Sequence, residues 1–379
     1  MEDIADTAYQ DEQAGKLEDE GNALELAMLS VIAARLAKLT ADTDYIQARE
    51  DVLRDIERLE DIAARGSSRL SRVASSIIQK MFELNNEWAA AFYAAAEKVQ
   101  DVESVAPIAK AGKVAARANV SAMCRTSVMG VIQSDGTFGL LQDAYLAAVN
   151  QAITEMRAGA PNAQSIRKAV SSLASGGLRV QYGSGRTREL YSAVATNVMD
   201  GYRDVMQALR DVQAEEFGYD GIEVSAHSMC APDHQPYQGK RYTVEEFNRI
   251  QAGLRRPIGT GANCRHTTFK VLLSATKNAY TADERKRMRD DSNREVTYTT
   301  ASGSEKTVTA YEFTQIQRQM ELKARKLDAR AKLMQAAGLD EDAKQARAMR
   351  RRAVKHYKRA SEQAGVRTRL ERTTIGELQ

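Results

Sequence analysis

Three histidines and two cysteines fall within the forty residues from His227 to His266, although the whole chain of 379 residues has only four histidines and three cysteines. Three of its five prolines lie there too. The segment reads His227-Ser-Met-Cys230-Ala-Pro232-Asp233-His234 and resumes at Asn263-Cys264-Arg265-His266, so the rare residues sit in two loops that the fold has to bring together. Imidazole and thiolate are the donors zinc prefers. His227, His234, Cys264 and His266, with Cys230 as a further candidate, would close a tetrahedral structural zinc site. The spacing, His-x2-Cys-x3-His and later Cys-x-His, reproduces no standard finger or ribbon. A metal-free reading is preferred, in which His234 and His266 satisfy loop carbonyls and Asn263 ties the loops into a hydrogen-bonded knot.

Catalysis by the same residues is a weaker reading. Cys230, Asp233 and His234 could be drawn as a Cys/His nucleophile pair, but no glycine-flanked nucleophile elbow and no HExxH helix accompanies them. The His-x-Glu and Pro-Cys-x-x-Cys of a zinc deaminase are missing as well. Glycines at Ser175-Gly176-Gly177 and at Tyr182-Gly183-Ser184-Gly185-Arg186 match neither the P-loop nor the dinucleotide fingerprint, and are read as loop and helix cap. A protein without enzymatic activity is expected, with a metal-dependent hydrolase, nuclease or peptidase, as the rival.

The elements that must carry these loops are mostly helices. Leu70, Val73, Ile77, Met81, Leu84, Trp88 and Phe92 recur every three or four residues and predict one long amphipathic helix. Leu24 to Leu39 predicts a shorter one, and Leu53 to Ala63 another that ends at Gly66 as a C-cap. Pro107 is read as the boundary to a second helical stretch. Past Gly218, Ile222-Glu-Val224-Ser225 predicts a strand that delivers His227 to its loop. Thr243/Glu246, Thr281/Glu284 and Thr309/Glu312 are capping boxes, and Glu295–Thr300 with Lys306–Thr309 around Gly303 predicts a β-hairpin. Beyond it, Phe313, Ile316, Met320, Ala324, Leu327, Ala331 and Met334 mark a helix that Gly338 breaks, with Asp340 able to cap the next.

The expected fold class is α+β, predominantly α-helical, in four parts. These are residues 1–106, an acidic tail plus helical bundle; 107–218, a helical region; 219–308, a mixed α/β core holding the His/Cys loops and a β-hairpin; and 309–379, a basic helical hairpin and tail. The formal net charge is +3, and no apolar run is long enough to span a bilayer, so no membrane partner is expected. Met1 to Gly21 is acidic and poor in apolar residues, which predicts a mobile segment. It also lacks a signal-peptide pattern, so a reducing cytoplasm and unpaired Cys124, Cys230 and Cys264 are expected. By contrast the last predicted helix carries Arg350, Arg351, Arg352, Lys355, Lys358 and Arg359, a cluster able to contact the phosphates of duplex DNA.

One further feature spans these segments. Glu223-Val-Ser225-Ala-His227, Ala231-Pro232-Asp-His234-Gln-Pro-Tyr237-Gln238-Gly239-Lys-Arg-Tyr242 and Asn263-Cys264-Arg265-His266, taken in order, resemble the signature of tailed-phage minor capsid proteins of the minor capsid protein 2 group, related to the Mu F-type head-morphogenesis proteins. Thr309-Ala-Tyr311-Glu312 with Gln315, Gln317-Arg318, Glu321, Arg325 and Lys326 resembles that family's Gln/Arg-rich helix, and the likeness covers roughly the second half of the chain. The resemblance implies a minor structural protein of the phage head, located in the virion, in the capsid interior or at the portal vertex, and in the host cytoplasm during assembly. It also implies association with the portal protein, a role in head morphogenesis and in packaging or delivery of DNA, and no catalytic residue. The major capsid or scaffolding protein is a further expected partner.

Overall fold

The structure, a computed structural model, describes residues 7–95, 102–133, 135–174, 177–217, 219–259, 264–274 and 277–376. It is an α+β protein, predominantly helical, with three small sheets among the described residues. Helices α1 (Thr7–Leu36) and α2 (Tyr45–Ala95) pack side by side, and α3 (Val102–Met123) lies against α2. On α1, Leu17, Leu24, Met28, Ile32 and Leu36 recur at helical spacing and are buried. They meet Leu59, Leu70, Ile77, Ile78 and Met81 of α2 in one core. The predicted stripe is therefore inward-facing as far as Leu84; the side chains of Trp88 and Phe92 lie outside the described residues.

Three expectations fail here for physical reasons. Helix α2 runs through Gly66 instead of ending there, because the glycine marks a close approach: a Cβ on it would lie 2.6 Å from Leu24 Cδ1. Interhelical packing outweighs the roughly 1 kcal/mol by which glycine disfavours a helix. Pro107 lies inside α3, near its start, where one forgone backbone bond is tolerated. The predicted mobile segment is helical from Thr7, with Leu17, Gln10 and Gln13 buried; Met1–Asp6 lies outside the described residues. What the composition of that segment conceals is its ion pairing, with Asp11 on Arg265 at 2.7 Å and Glu18 on Arg318 and Arg325.

The region predicted as helical also holds a sheet. Strands β1 (Met129–Ile132) and β2 (Phe138–Leu140) precede helices α4 (Leu141–Arg157) and α5 (Asn162–Ala174), and β3 (Arg179–Gln181) and β4 (Thr187–Glu189) precede α6 (Leu190–Phe217). They form an antiparallel sheet in the order β2-β1-β3-β4. Strands of three or four residues are too short to show alternation in a sequence. The glycine run at 182–186 is the β3–β4 turn, in which the Tyr182 N–H donates to the Arg186 carbonyl at 2.8 Å and Gly185 takes φ +79°. Ser175 and Gly176 lie outside the described residues.

After α6 the order is β5 (Gly221–Val224), β6 (Arg241–Thr243), α7 (Val244–Gly253), β7 (Thr268–Val271) and α8 (Ala282–Asn293). A hairpin of β8 (Glu295–Thr299) and β9 (Glu305–Thr309) leads into α9 (Ala310–Ala336) and α10 (Asp340–Gln363). All three capping boxes form, each with its Thr hydroxyl accepting from the Glu backbone N–H and its Glu carboxylate accepting in return. Asp340, predicted as a cap, is the first helical residue instead; Leu339 is the N-cap, and Gly338 makes the turn at φ +71°. Around that turn Leu333, Met334, Leu339 and Ala343 join the same core as α1 and α2. No described helix is long and apolar enough to cross a membrane.

Candidate functional site

Strand β5 is central in the sheet β6-β5-β7, and both His/Cys loops are tied to its end. On one side the Gly239 N–H donates to the Val224 carbonyl (2.9 Å), returning the first loop to β6. On the other, Ser225 and Thr267 exchange two bonds, Ser225 N–H to Thr267 O and Thr267 N–H to Ser225 Oγ, both 2.9 Å, which leads the second loop into β7. A short turn from Ala231 to Gln238 then aims His234 inward. Met229, the one described non-glycine residue with positive φ (60°), is held there by its N–H bond to Ser292 Oγ of α8 at 2.9 Å. Arg256 clamps Asp233 with contacts of 2.7 and 2.9 Å and so fastens the second loop to the first.

The five predicted residues meet, but not around one point. His234, Cys264 and His266 form one triad, His227, Cys230 and His266 a second, and in each triad the donor atoms lie within 4.8 Å of one another. His266 is shared. Its Nδ1 faces Cys264 Sγ at 3.5 Å, and its Nε2 faces Cys230 Sγ at 3.5 Å and Gln238 Oε1 at 3.4 Å. Cys264 and Cys230 thus face opposite nitrogens of the His266 ring, and one imidazole cannot turn both nitrogens to a single ion. The His227 ring lies against that of His266 with centroids 4.6 Å apart. Asn263, the predicted loop tie, lies outside the described residues.

Burial dominates the electrostatics. His234, Cys230, Cys264 and His266 are all buried. Desolvation, reinforced by His227 and His234, pushes the His266 pKa down to about 2, so its ring is neutral. Desolvation likewise lowers His227 and lifts the Cys230 thiol to about 12. At Cys264 and His234 desolvation is overcome. The hydrogen bond between them, 3.6 Å from Sγ to Nδ1, together with the Gly259 N–H to Cys264, draws the Cys264 pKa below its ordinary value and raises that of His234. The two cysteines therefore play different parts: Cys230 Sγ donates to the Ala231 carbonyl at 3.3 Å, whereas Cys264 Sγ accepts from Gly259 at 3.3 Å.

Gln238 belongs to this site although its residue type gives no ligand signal. Its Oε1 accepts the His227 backbone N–H at 3.1 Å and faces His266 Nε2. Beside the cluster lies a cavity of about 740 Å³ lined by His227, His234, Cys264 and His266 together with charged residues of α1, α9 and the carboxy-terminal segment.

The predicted DNA-contacting residues are elsewhere, on α10. Arg351, Arg352, Lys355, Lys358 and Arg359 are exposed, and none has an ion-pair partner among the described residues. Arg350 differs from the others in being paired: its guanidinium meets Asp328 of α9 at 3.1 Å and donates to the Thr373 carbonyl, because it lies on the side of α10 that faces α9. His356 is also held, donating from Nε2 to the Thr299 carbonyl at 3.0 Å.

A family model described as phage minor capsid protein 2 matches residues 22–360, nearly the whole chain and well beyond the second half to which the short motifs point. No curated protein and no solved structure matches the chain.

Proposed function

The chain belongs to the phage minor capsid protein 2 family and is a structural protein of the phage virion; we propose that within the head it sits at the portal vertex and contacts packaged duplex DNA through the outer face of α10. The observation that carries the DNA contact is the contrast on that helix. Ala343, Ala346, Tyr357, Ala360 and Ser361 are buried on one side. On the other, Arg351, Lys355 and Lys358 follow at four and three residues, flanked by Arg352 and Arg359, all exposed. A ridge of unneutralised cations along more than two helical turns suits a polyphosphate backbone and needs no sequence readout. The portal, with the major capsid or scaffolding protein, is the proposed protein partner, and the role is in head morphogenesis and in packaging or delivery of DNA.

A cysteine nucleophile is disfavoured, because it has to meet its substrate and both Cys230 and Cys264 are buried; the rival reading, a metal-dependent hydrolase, would instead show as metal-dependent nuclease or peptidase activity of the purified chain. Quantitative mass spectrometry of purified particles tests the placement. A fixed low ratio of this chain to the portal is expected, and absence from mature particles would overturn it. Duplex binding by the purified chain tests the contact. Log affinity should fall with log salt, and glutamine at Arg351, Arg352 and Lys355 together should flatten the slope by about 2.7, roughly 0.9 for each phosphate that is no longer neutralised. An unchanged slope would remove the ridge from the DNA interface.

A further inference from the structure

We propose that the two loops hold one zinc ion, bound by His234 Nδ1, Cys264 Sγ and His266 Nδ1, with Cys230 and His227 outside the ligand set. Zinc–sulfur and zinc–nitrogen bonds of about 2.3 and 2.0–2.1 Å at a tetrahedral angle place a sulfur and a nitrogen of one site about 3.5 Å apart. Cys264 Sγ lies 3.6 Å from His234 Nδ1 and 3.5 Å from His266 Nδ1. Both sulfur–nitrogen separations are thus already those of ligands on one tetrahedron, and the donor atoms of the triad all lie within 4.8 Å of one another. The inference stands on these loops alone and is independent of the DNA contact.

The surroundings of the three atoms select the same set. A carbonyl oxygen can only accept, so the 2.9 Å contact between His234 Nε2 and Arg256 O places the one proton of the neutral ring on Nε2, and in that form the Nδ1 lone pair faces Cys264. His266 is fixed in the same way. Gln238 Oε1 already accepts the His227 N–H, which orients the amide, so His266 Nε2 has to be the donor towards it and Nδ1 the acceptor. Both histidines therefore present Nδ1 with Nε2–H anchored on a carbonyl oxygen, the arrangement that outer partners impose on metal-ligating imidazoles. Cys264 Sγ accepts the Gly259 N–H, which suits a thiolate. Cys230 differs on both counts: its thiol donates to Ala231 O, and its sulfur lies against the protonated nitrogen of His266.

Binding would displace the Cys264 thiol proton to solvent and leave zinc with two neutral imidazoles and one thiolate. The fourth tetrahedral position falls to water, for which the adjoining cavity of about 740 Å³ has room. Such an ion would cross-link the loop after β5 to the loop before β7, a link that is otherwise made only by weaker bonds.

The test uses the untagged full chain, stripped with a chelator, kept reduced and titrated with Co(II). A thiolate-to-cobalt charge-transfer band saturating at one ion per chain is expected in the native protein and in Cys230→Ser, and it should be missing from Cys264→Ser. Gln238→Leu should keep the band but weaken the affinity about 10- to 100-fold through its outer-partner role. If Cys264→Ser does not fold, the native chain and Cys230→Ser still decide. No charge-transfer band in the folded native chain overturns the site, and loss of the band in folded Cys230→Ser overturns the ligand assignment.

Discussion

Two arginine-rich regions of this molecule look alike in sequence and are opposite in structure. Along α9 and the carboxy-terminal segment, Arg318, Arg325 and Arg372 point inward and are matched by acids: Glu321 binds Arg318 at 3.2 Å and lies 3.9 Å from Arg372, while Glu18, some 300 residues away, binds Arg318 and Arg325. Tyr357 completes the seam, donating to Glu321 at 2.9 Å and accepting the Arg369 N–H at 2.6 Å. Along α10, Arg351, Arg352, Lys355, Lys358 and Arg359 are exposed and have no ion-pair partner among the described residues. The inner set has its charge neutralised in place and fastens α1 to α9, so it has little field left for a ligand; the outer set holds nothing together and keeps its charge available. Counting Arg and Lys in a segment therefore says little about nucleic-acid contact until pairing is known.

The largest effect should come from breaking the inner seam. Glu321→Ala leaves Arg318 short of an acid and the buried Tyr357 hydroxyl without its acceptor. A loss of about 3–5 kcal/mol is expected, the usual cost of removing one partner from a buried pair. Urea unfolding measures it, and a loss under about 1 kcal/mol would mean that the seam relaxes or hydrates. DNA affinity of the folded fraction should not change.

Glu25 is the inner acid whose neutralisation fails, and it sharpens the rule from the other side. Its Oε2 is buried without a partner, and the nearby Lys326 and Arg179 both turn to Glu189, Lys326 at 2.6 Å. Burial, reinforced by Glu189, raises its pKa to about 8. Between its ordinary value of 4.5 and about 8 the unfolded chain ionises this group while the folded chain does not, so stability falls as pH rises through that window and levels off above it. Glu25→Gln should therefore stabilise the protein at pH 8 by roughly 1–3 kcal/mol, with no gain at pH 4. Equal gains at both pH values would show that packing, not ionisation, is responsible.

What the sequence made legible follows the range of the interactions involved. The three capping boxes, the β8–β9 hairpin, the α9–α10 turn at Gly338 and the stripe from Leu70 to Leu84 are all written within a few residues, and each forms. The gathering of His227, Cys230, His234, Cys264 and His266 was legible from rarity alone, but their division into two triads that share His266 was not, since it depends on which ring nitrogen faces which sulfur. Gly66 was misread because its meaning lies in Leu24, and the amino-terminal helix because Glu18 finds its cations on α9. Partners hundreds of residues apart leave no local pattern.

The smallest effects separate two neighbours on one helix and test the comparison most closely. Arg350 belongs to the inner class through Asp328 and the Thr373 carbonyl, whereas Arg351 belongs to the outer. Arg350→Gln should cost about 1 kcal/mol of stability and leave the salt slope of DNA binding as it is. Arg351→Gln should change stability by less than about 0.5 kcal/mol, as exposed positions usually do, yet lower the slope by about 0.9. The two measurements cross: one residue moves the denaturation midpoint, the other the salt dependence. If Arg350→Gln lowered the slope as much as Arg351→Gln, the Asp328 pair would have to open when DNA binds, and pairing in the free protein would no longer mark which cations are available.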